Sequence, residues 1–145
     1  MLITALTLPA ATLLSACNDD NGAAAIEVTG AWARTRPAGA STGAVYMTLR
    51  AGDDDTLVGA SVDPAIAAGA MAHETESSEG QIAMAHSAGI PLADGDDIAL
   101  EPGGYHVMLE DLAAPLEAGT SFEMTLAFEH APDLSITVDV REDAP

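Results

Sequence analysis

The chain has 145 residues, a length that fits one domain, and it carries 23 Asp and Glu side chains against four Arg and no Lys. The resulting net charge of −19 opposes binding to nucleic acid and to anionic membrane surfaces, so we expect neither as a partner. The acidity fits either adaptation to a saline exterior or attraction of cations and basic partners, and composition does not separate the two.

The N-terminal segment has the pattern of an export signal with a lipid attachment point. Residues 2–14 form an apolar stretch that is too short to cross a bilayer as a helix. The stretch ends in Leu14-Ser15-Ala16-Cys17, which resembles the lipobox of bacterial lipoproteins, although no Lys or Arg precedes it. The resemblance implies cleavage before Cys17 and lipidation of its thiol. The alternative is a plain secretory signal with an unrelated Cys.

This reading predicts the organisation of the whole chain. We expect a lipoprotein-type signal peptide at 1–16, an acidic and Ala-rich tether at 17–25, one domain at 26–141 and a short tail at 142–145. The protein is then extracytoplasmic, in the periplasm or on the outer face of the cell membrane, and touches the membrane only through its lipid anchor. Cys17 is the only cysteine, so the domain holds no disulfide.

Through the domain, short apolar runs alternate with turn residues at intervals near ten, which predicts an all-β sandwich or barrel. Aromatic residues are only 3% of the chain, so Val, Ile, Leu and Met must fill the core. We expect turns at 91–95 and 102–104, and a short helical turn within 61–69 with Asp63 as its N-cap. The predicted strands are 26–34, 43–50, 56–62, 70–75, 81–85, 97–100, 105–109, 121–128 and 134–140.

The most informative pattern is the spacing of four potential metal ligands, His73, Met84, His106 and Met108. The chain has only four His and six Met, so abundance does not explain the pattern. Imidazole and thioether are neutral, fairly soft donors that suit monovalent copper. The spacing therefore indicates a copper site.

A hairpin at 77–80 would explain the first interval. With a four-residue loop, His73 lies directly opposite Met84 and Met71 opposite His86, because cross-strand positions then sum to a constant. All four side chains would share one face, since residues two apart on a strand point the same way. Met71 and His86 are therefore candidate auxiliary ligands, and His106 and Met108 share a face of a later strand.

Each of these residues also has a simpler interpretation. Met84 and Met108 fit core packing, because Met fills irregular gaps. His73 fits a surface position among acids, and His106 a half-buried position satisfied by a carbonyl. Taken together at this spacing, the ligand interpretation is favoured, whereas His130, beside an acid near a strand end, is expected to be exposed.

At these residues the chain resembles the periplasmic copper chaperone family called PCuAC, which is defined by an H-x10-M-x21-H-x-M motif. Three further stretches carry the resemblance: A-W-A-R-T-R-P-A-G-A-S-T-G-A-V-Y-M-T-L at 31–49, A-H-E-T at 72–75 and L-E-P-G-G-Y-H-V-M-L at 100–109. It spans about residues 26–140. The resemblance implies a cupredoxin-like Greek-key β-sandwich or barrel of about eight or nine short strands.

The resemblance also implies a function. It implies one principal Cu(I) site at the four motif residues and delivery of the ion to the CuA centre of cytochrome c oxidase, with subunit II as acceptor. Thr75 stands where the family often has Met, and Ala85 and His86 stand where many members have basic residues. Some members carry a His- and Met-rich tail for divalent copper, which is lacking here, so we expect a single principal site.

Other classes of function remain as alternatives. The sequence contains no nucleophile elbow, H-E-x-x-H motif or phosphate-binding Gly loop, so we expect no enzymatic activity. A lipoprotein that buffers or scavenges copper would use the same ligands. A surface lipoprotein that only binds another protein would use the His and Met for packing.

Overall fold

The computed structural model describes residues 25–78 and 80–145, and every regular element in that range is a β-strand. The predicted all-β class is therefore confirmed. In the same residues, no helix is long and apolar enough to cross a membrane. The predicted signal peptide, Cys17 and all but the last residue of the predicted tether lie outside the described residues. The strands are β1 (Ile26–Arg34), β2 (Thr42–Ala51), β3 (Asp55–Val62), β4 (Ala67–Ser78), β5 (Gln81–His86), β6 (Ile90–Leu92), β7 (Asp97–Leu100), β8 (Tyr105–Leu112), β9 (Ser121–Phe128) and β10 (Leu134–Arg141).

Seven of these strands close into a barrel. Their order is β4-β8-β2-β1-β10-β9-β3, and the ring closes where Ala60 of β3 pairs with Ala70 of β4. Strand β1 runs parallel to β10, whereas the other strand pairs are antiparallel. The remaining three strands flank the barrel: β5 lies beside β4, β6 beside β3 and β7 beside β2. Strand β5 is thus an edge strand next to the barrel wall.

One local prediction is wrong in part. A turn was expected at 91–95, but residues 90–92 form strand β6 and the turn begins at Ala93, whose carbonyl accepts the Asp96 N–H at 3.1 Å. Pro91 is tolerated in the strand because β6 pairs with β3 alone.

The segment before β4 forms one helical turn, as predicted. The Asp63 carbonyl accepts the backbone N–H groups of Ile66 at 2.8 Å and of Ala67 at 3.3 Å, and the Asp63 carboxylate caps the turn by accepting the Ala65 N–H at 2.8 Å. The chain enters β4 at Ala67, so no second turn follows.

Alternation along the strands, clearest in β2 and β9, separates a core from an outer face. In β2, Val45, Met47 and Leu49 are buried, while the intervening side chains are only half-buried. Among the described residues, His106 is the only buried polar or charged side chain. The core is aliphatic, as composition predicts, and its largest fully buried members are Leu49, Leu57, Ile90, Leu92, Leu109, Met124, Leu126, Val45, Val107, Val138 and Val140.

A tight turn at 102–104 determines where β8 begins. Gly103 adopts a φ of +91°, and the Gly104 N–H donates to the Glu101 carbonyl at 3.0 Å. The Gly104 carbonyl then accepts the backbone N–H of Thr75 in β4 at 3.1 Å. The turn therefore ties the start of β8 to the neighbouring strand.

We expect Gly103→Ala to destabilise the fold by about 1 kcal/mol, because an L side chain is strained at this φ whatever the space around it. Denaturant unfolding would measure the loss. Gly104→Ala is the matched control, because the φ of Gly104 lies outside the left-handed region. The added Cβ would lie 3.7 Å from its nearest neighbour, the Glu101 carbonyl oxygen, which is an ordinary contact. Equal losses in the two variants would contradict the strain argument.

Candidate metal centre

The β4–β5 hairpin has a tighter turn than the sequence predicted. Ser78 pairs directly with Gln81, so two residues separate the strands instead of four. Gly80 has a φ of +80°, the left-handed conformation that two-residue hairpin turns require. The strand before the turn is correspondingly longer than predicted.

The tighter turn changes the cross-strand partners. His73 lies opposite His86, and Met84 lies opposite Thr75. The predicted pairs His73–Met84 and Met71–His86 are therefore wrong. The register differs from the prediction by two residues, however, and a shift of two leaves every side chain on the same face. The imidazoles and thioethers still share one side of the hairpin.

Strand β8 adds the second half of the motif from the other side of β4. The register places His106 opposite His73 and Met108 opposite Met71. The two imidazole centres of the motif are 5.8 Å apart. Because Val107 points into the core, this ligand face is the outer face of the barrel.

His106 is oriented by the turn that precedes it. Its Nδ1 atom lies 3.2 Å from the Gly104 carbonyl, which can only accept, so Nδ1 carries the proton when the ring is neutral. Its Nε2 atom is buried and has no hydrogen-bond partner within the described part of the chain. A histidine held in this way presents an Nε2 lone pair to the outer face, as a metal ligand does.

His73 is held as a neutral side chain. Both of its ring nitrogens are buried without a hydrogen-bond partner among the described residues. Burial lowers its pKa below the ordinary 6.5, the neighbouring His106 and His86 lower it further, and Glu110 opposes them. The Glu110 carboxylate is 4.0 Å from Nε2, too far for a hydrogen bond. Neutral imidazole is the form that binds metal.

The two motif thioethers line one cleft of about 260 Å³, which neither motif histidine lines. Met84 is 61% exposed, so core packing does not explain it. Met108 is half-buried. The cleft is lined by Arg34, Arg36, Thr42, Gly43, Ala44, Tyr46, Met84 and Met108.

Sequence reasoning missed the cationic and aromatic wall of this cleft. Trp32 is buried but packs on Tyr46 at 5.0 Å, and Tyr46 in turn lies 6.4 Å from the His106 ring. Burial raises the pKa of Tyr46, while Arg34 and Arg36 oppose the rise. The stretch A-W-A-R-T-R carries Trp32, Arg34 and Arg36, and Tyr46 lies in β2. Only the pairing of β1 with β2 and of β2 with β8 brings these residues to the candidate centre.

The structure also places the two candidate auxiliary ligands and the fourth histidine. His86 is exposed on β5, with its ring centre 5.8 Å from that of His73. Met71 is half-buried beside Met108 on the same face. His130 is exposed, as predicted, and its backbone N–H donates to Asp55 at 3.0 Å.

The donor set determines what this centre can bind. Among residues 25–78 and 80–145, no three His, Cys, Asp or Glu side chains are grouped to hold a metal ion. The outer face offers two imidazoles, one buried and one largely buried, together with thioethers, all of them neutral donors. Such a set has little attraction for hard cations that prefer oxygen, and it suits a soft ion.

Two comparisons of the sequence give a family. The family model described as "Putative lipoprotein LpqE-like" matches residues 26–140. The curated relative "Putative lipoprotein Lxx21020" of Leifsonia xyli subsp. xyli is 30% identical over 118 residues, which are 81% of this chain and 70% of the relative.

Solved structures share the fold. The copper-bound PCuAC domain from PmoF2 matches with a TM-score of 0.65 at 27% identity, over 83% of this chain and 93% of that one. The solution structure of CuI-DR1885 from Deinococcus radiodurans matches with a TM-score of 0.64 at 25% identity, over 88% and 84%. The predicted resemblance to PCuAC proteins and the cupredoxin-like fold are confirmed. With its residues 26–140 covered by the family model, the chain belongs to the LpqE-like family.

Proposed function

We propose that this protein is an extracytoplasmic carrier of monovalent copper, and that His73, Met84, His106 and Met108 hold the ion. The observation that carries the proposal is the buried, unpartnered Nε2 of His106. An unpaired buried polar atom costs about 1–3 kcal/mol, so folded proteins seldom keep one without a use. Two structural neighbours are copper-loaded by name, and the same ion fits the donors here.

The ligand chemistry favours Cu(I) over harder ions. Thioethers bind without losing a proton, and His73 is already neutral because burial lowers its pKa. No Cys lies in the described residues, so the thiolate of a blue-copper electron-transfer site is lacking there. Outside the cytoplasm this is an advantage, since thiols there are prone to oxidation.

A carrier must also release its ion, and the exposure of the ligands supports this. Met84 lies 61% exposed on the edge strand β5, whereas His106 is only 3% exposed. We infer that an acceptor replaces Met84 first and the two less accessible histidines last. Met71, beside Met108 on the same face, is an auxiliary thioether in this scheme.

The proposal extends to location and acceptor. Lipidation of Cys17, consistent with the lipoprotein descriptions of the family model and of the Leifsonia relative, would tether the carrier to a membrane surface. The proposed acceptor is the CuA centre in subunit II of cytochrome c oxidase, a membrane protein within reach of such a tether.

Copper loading tests the proposal directly. The full chain with Cys17→Ser, which removes the only thiol, should bind about one Cu(I) under reducing conditions. In this background Met84→Ala should weaken binding by at least about tenfold, because a ligand is lost. Competition against a chromogenic Cu(I) chelator measures both the number of ions bound and the affinity.

Ile82→Ala is the matched control, since Ile82 is 77% exposed on the same face of β5 and has no donor atom. Replacing His73 and Met108 together by Ala should abolish loading. If the Cys17→Ser chain binds no Cu(I), the protein is a lipoprotein of another kind. Equal affinities for the Met84 and Ile82 variants would remove Met84 from the ligand set.

Acid should weaken Cu(I) binding. The pKa of His73 is lowered, so the ring is neutral at pH 7 and protons compete for it only below its ordinary value of 6.5. We expect the affinity to be nearly level above neutrality and to fall between about pH 6.5 and 5. Chelator competition at a series of pH values would show this, and a flat profile would count against imidazole ligation.

Transfer tests the acceptor. When the copper-loaded chain is mixed with a soluble, copper-free CuA domain, we expect copper to move to that domain because its thiolates bind the ion more tightly than thioethers do. Copper content of the separated proteins measures the transfer. Retention by the carrier would favour buffering or scavenging instead.

A further inference from the structure

We propose that Arg34 and Arg36 form a docking site for a carboxylate-rich surface of the protein that accepts the copper. Both arginines line the cleft that also contains the motif thioethers. The docking site rests on the proposed carrier function, because it is the surface against which the acceptor would lie while the ion passes between the two proteins.

The arginines of the cleft differ from the other two arginines in their charge partners. Within residues 25–78 and 80–145, neither Arg34 nor Arg36 forms an ion pair with a carboxylate. The ion pairs of arginine in that range are Arg50–Asp97 at 3.4 Å and Arg141–Asp139 at 3.2 Å. The chain has 23 acidic side chains, so a shortage of carboxylates does not explain the difference. Two cations without an ion pair in so acidic a chain can accept a charged group from another molecule.

The guanidinium groups of the docking site are held beside the cleft. Arg36 is half-buried, and its Nε donates to the Thr42 carbonyl at 2.7 Å, which fixes its orientation. This bond uses one of five N–H donors, so the others can bind a carboxylate in the bidentate geometry that suits a guanidinium. Arg34 is exposed. Burial raises the pKa of Tyr46 on the same cleft wall, and both guanidinium charges oppose the rise, so both lie close to that ring.

Handover of the ion would bring a partner surface against these charges. Met84 is 61% exposed on an edge strand and shares the cleft with Arg34 and Arg36. A protein that reaches this thioether therefore covers the guanidinium groups as well. Taking an unpaired charge out of water is costly unless an opposite charge and hydrogen bonds replace the water. A surface that carries carboxylates meets this requirement.

Charge also determines which protein can dock. Two copies of a chain with a net charge of −19 repel each other, so a second copy is a poor occupant. A partner of small net charge that carries its carboxylates in one cluster meets less repulsion, because salt screens charges beyond about 8–10 Å. The acidic surface elsewhere on the carrier then opposes the other orientations, and the partner's carboxylates turn toward the cleft.

Copper transfer to a pair of acceptor peptides tests the docking site. Each peptide has two Cys that take up Cu(I), flanked by four Asp in one peptide and by four Asn in the other. The ion keeps its oxidation state, and the thiols lose their protons to the buffer as they bind it. From the copper-loaded full chain with Cys17→Ser, we expect transfer to the Asp peptide to be about fivefold faster at 0.1 M salt. At 1 M salt, where the Debye length is about 3 Å, this preference should disappear.

Variants of the arginines locate the effect. Arg34→Gln with Arg36→Gln should abolish the preference for the Asp peptide. Arg50→Gln with Arg141→Gln is the matched control, because it removes the same charge from outside the cleft, and it should keep the preference. Arg34→Gln alone should reduce the preference at least about twofold. Of the two cleft arginines only Arg36 makes a side-chain hydrogen bond within the described residues, so this single variant decides the matter if the double variant does not fold.

The outcomes separate the docking site from the carrier function. If the parent transfers copper to the Asp peptide no faster than to the Asn peptide, or if both double variants show the same preference, the docking site is refuted. Loading of the parent with Cu(I) would still support the carrier function.

A copper-free measurement covers the case in which the parent binds no Cu(I), which would refute the carrier function. In an NMR titration of the copper-free chain, the Asp peptide should shift the backbone amide signals of Arg34 and Arg36, and the Asn peptide should leave them in place. Equal shifts from both peptides, or none from either, would refute the docking site. Equal shifts from acetate at the same carboxylate concentration would reduce it to a site for small anions and refute docking.

Discussion

The pairing of β8 with β4 is the constraint on which the candidate centre depends. One carbonyl, that of Gly104, accepts the Thr75 N–H at 3.1 Å and lies 3.2 Å from Nδ1 of His106. The same atom therefore fixes the register of the strands and the tautomer of the imidazole. A slip of one residue would turn His106 and Met108 toward the barrel interior and Val107 toward solvent. Because that exchange would place a polar ring in the aliphatic core and remove the Val107 side chain from it, the core itself holds the ligands outward.

Burial of the candidate centre leaves several imidazole nitrogens without hydrogen-bond partners, which lowers the stability of the fold. His106 is only 3% exposed although it lies on the outer face, where the Tyr46 ring is 6.4 Å from its own and Trp32 packs on Tyr46. Burial leaves its Nε2 and both nitrogens of His73 without partners among the described residues. Unpaired buried groups of this kind oppose folding. A bound ion would give these nitrogens a partner and raise the free energy of unfolding, since any ligand that binds only the native state stabilises it.

Much of this arrangement could be predicted from the sequence, for identifiable reasons. Strands β1, β7 and β9 have the predicted bounds, because alternation and flanking turn residues define them locally. The shared face of the ligands was also predictable, since it depends only on a period of two. The cross-strand partners in the hairpin could not be predicted, because a loop of two residues and a loop of four place the side chains on the same faces. The positive φ of Gly80 decides between the two loops. Strand β6 escaped prediction because Pro91 is a turn signal except at a sheet edge.

Long-range assembly accounts for the rest. No local pattern could indicate that β1 and β2 would bring Arg34, Arg36 and Tyr46 to the cleft that holds Met84, because these segments are far apart in the chain and meet only through the barrel. In contrast, the spacing of His106 and Met108 needed only one strand. Residues that act from a single strand or hairpin are readable in sequence, and those that depend on sheet order are not.

Charge divides the outer face in the same way as the donor atoms do. The net charge of −19 attracts cations from a distance, but beyond the Debye length of about 8–10 Å salt screens it, so local groups decide where an ion rests. Two of the four Arg line the cleft with Met84 and Met108, whereas the Glu110 carboxylate lies beside His73. Coulomb energy is proportional to the charge of the ion, so guanidinium groups oppose a divalent ion more than a monovalent one, and the carboxylate attracts it more. Electrostatics thus disfavours a divalent ion near the thioethers more than a monovalent one, which is the same preference that ligand softness gives.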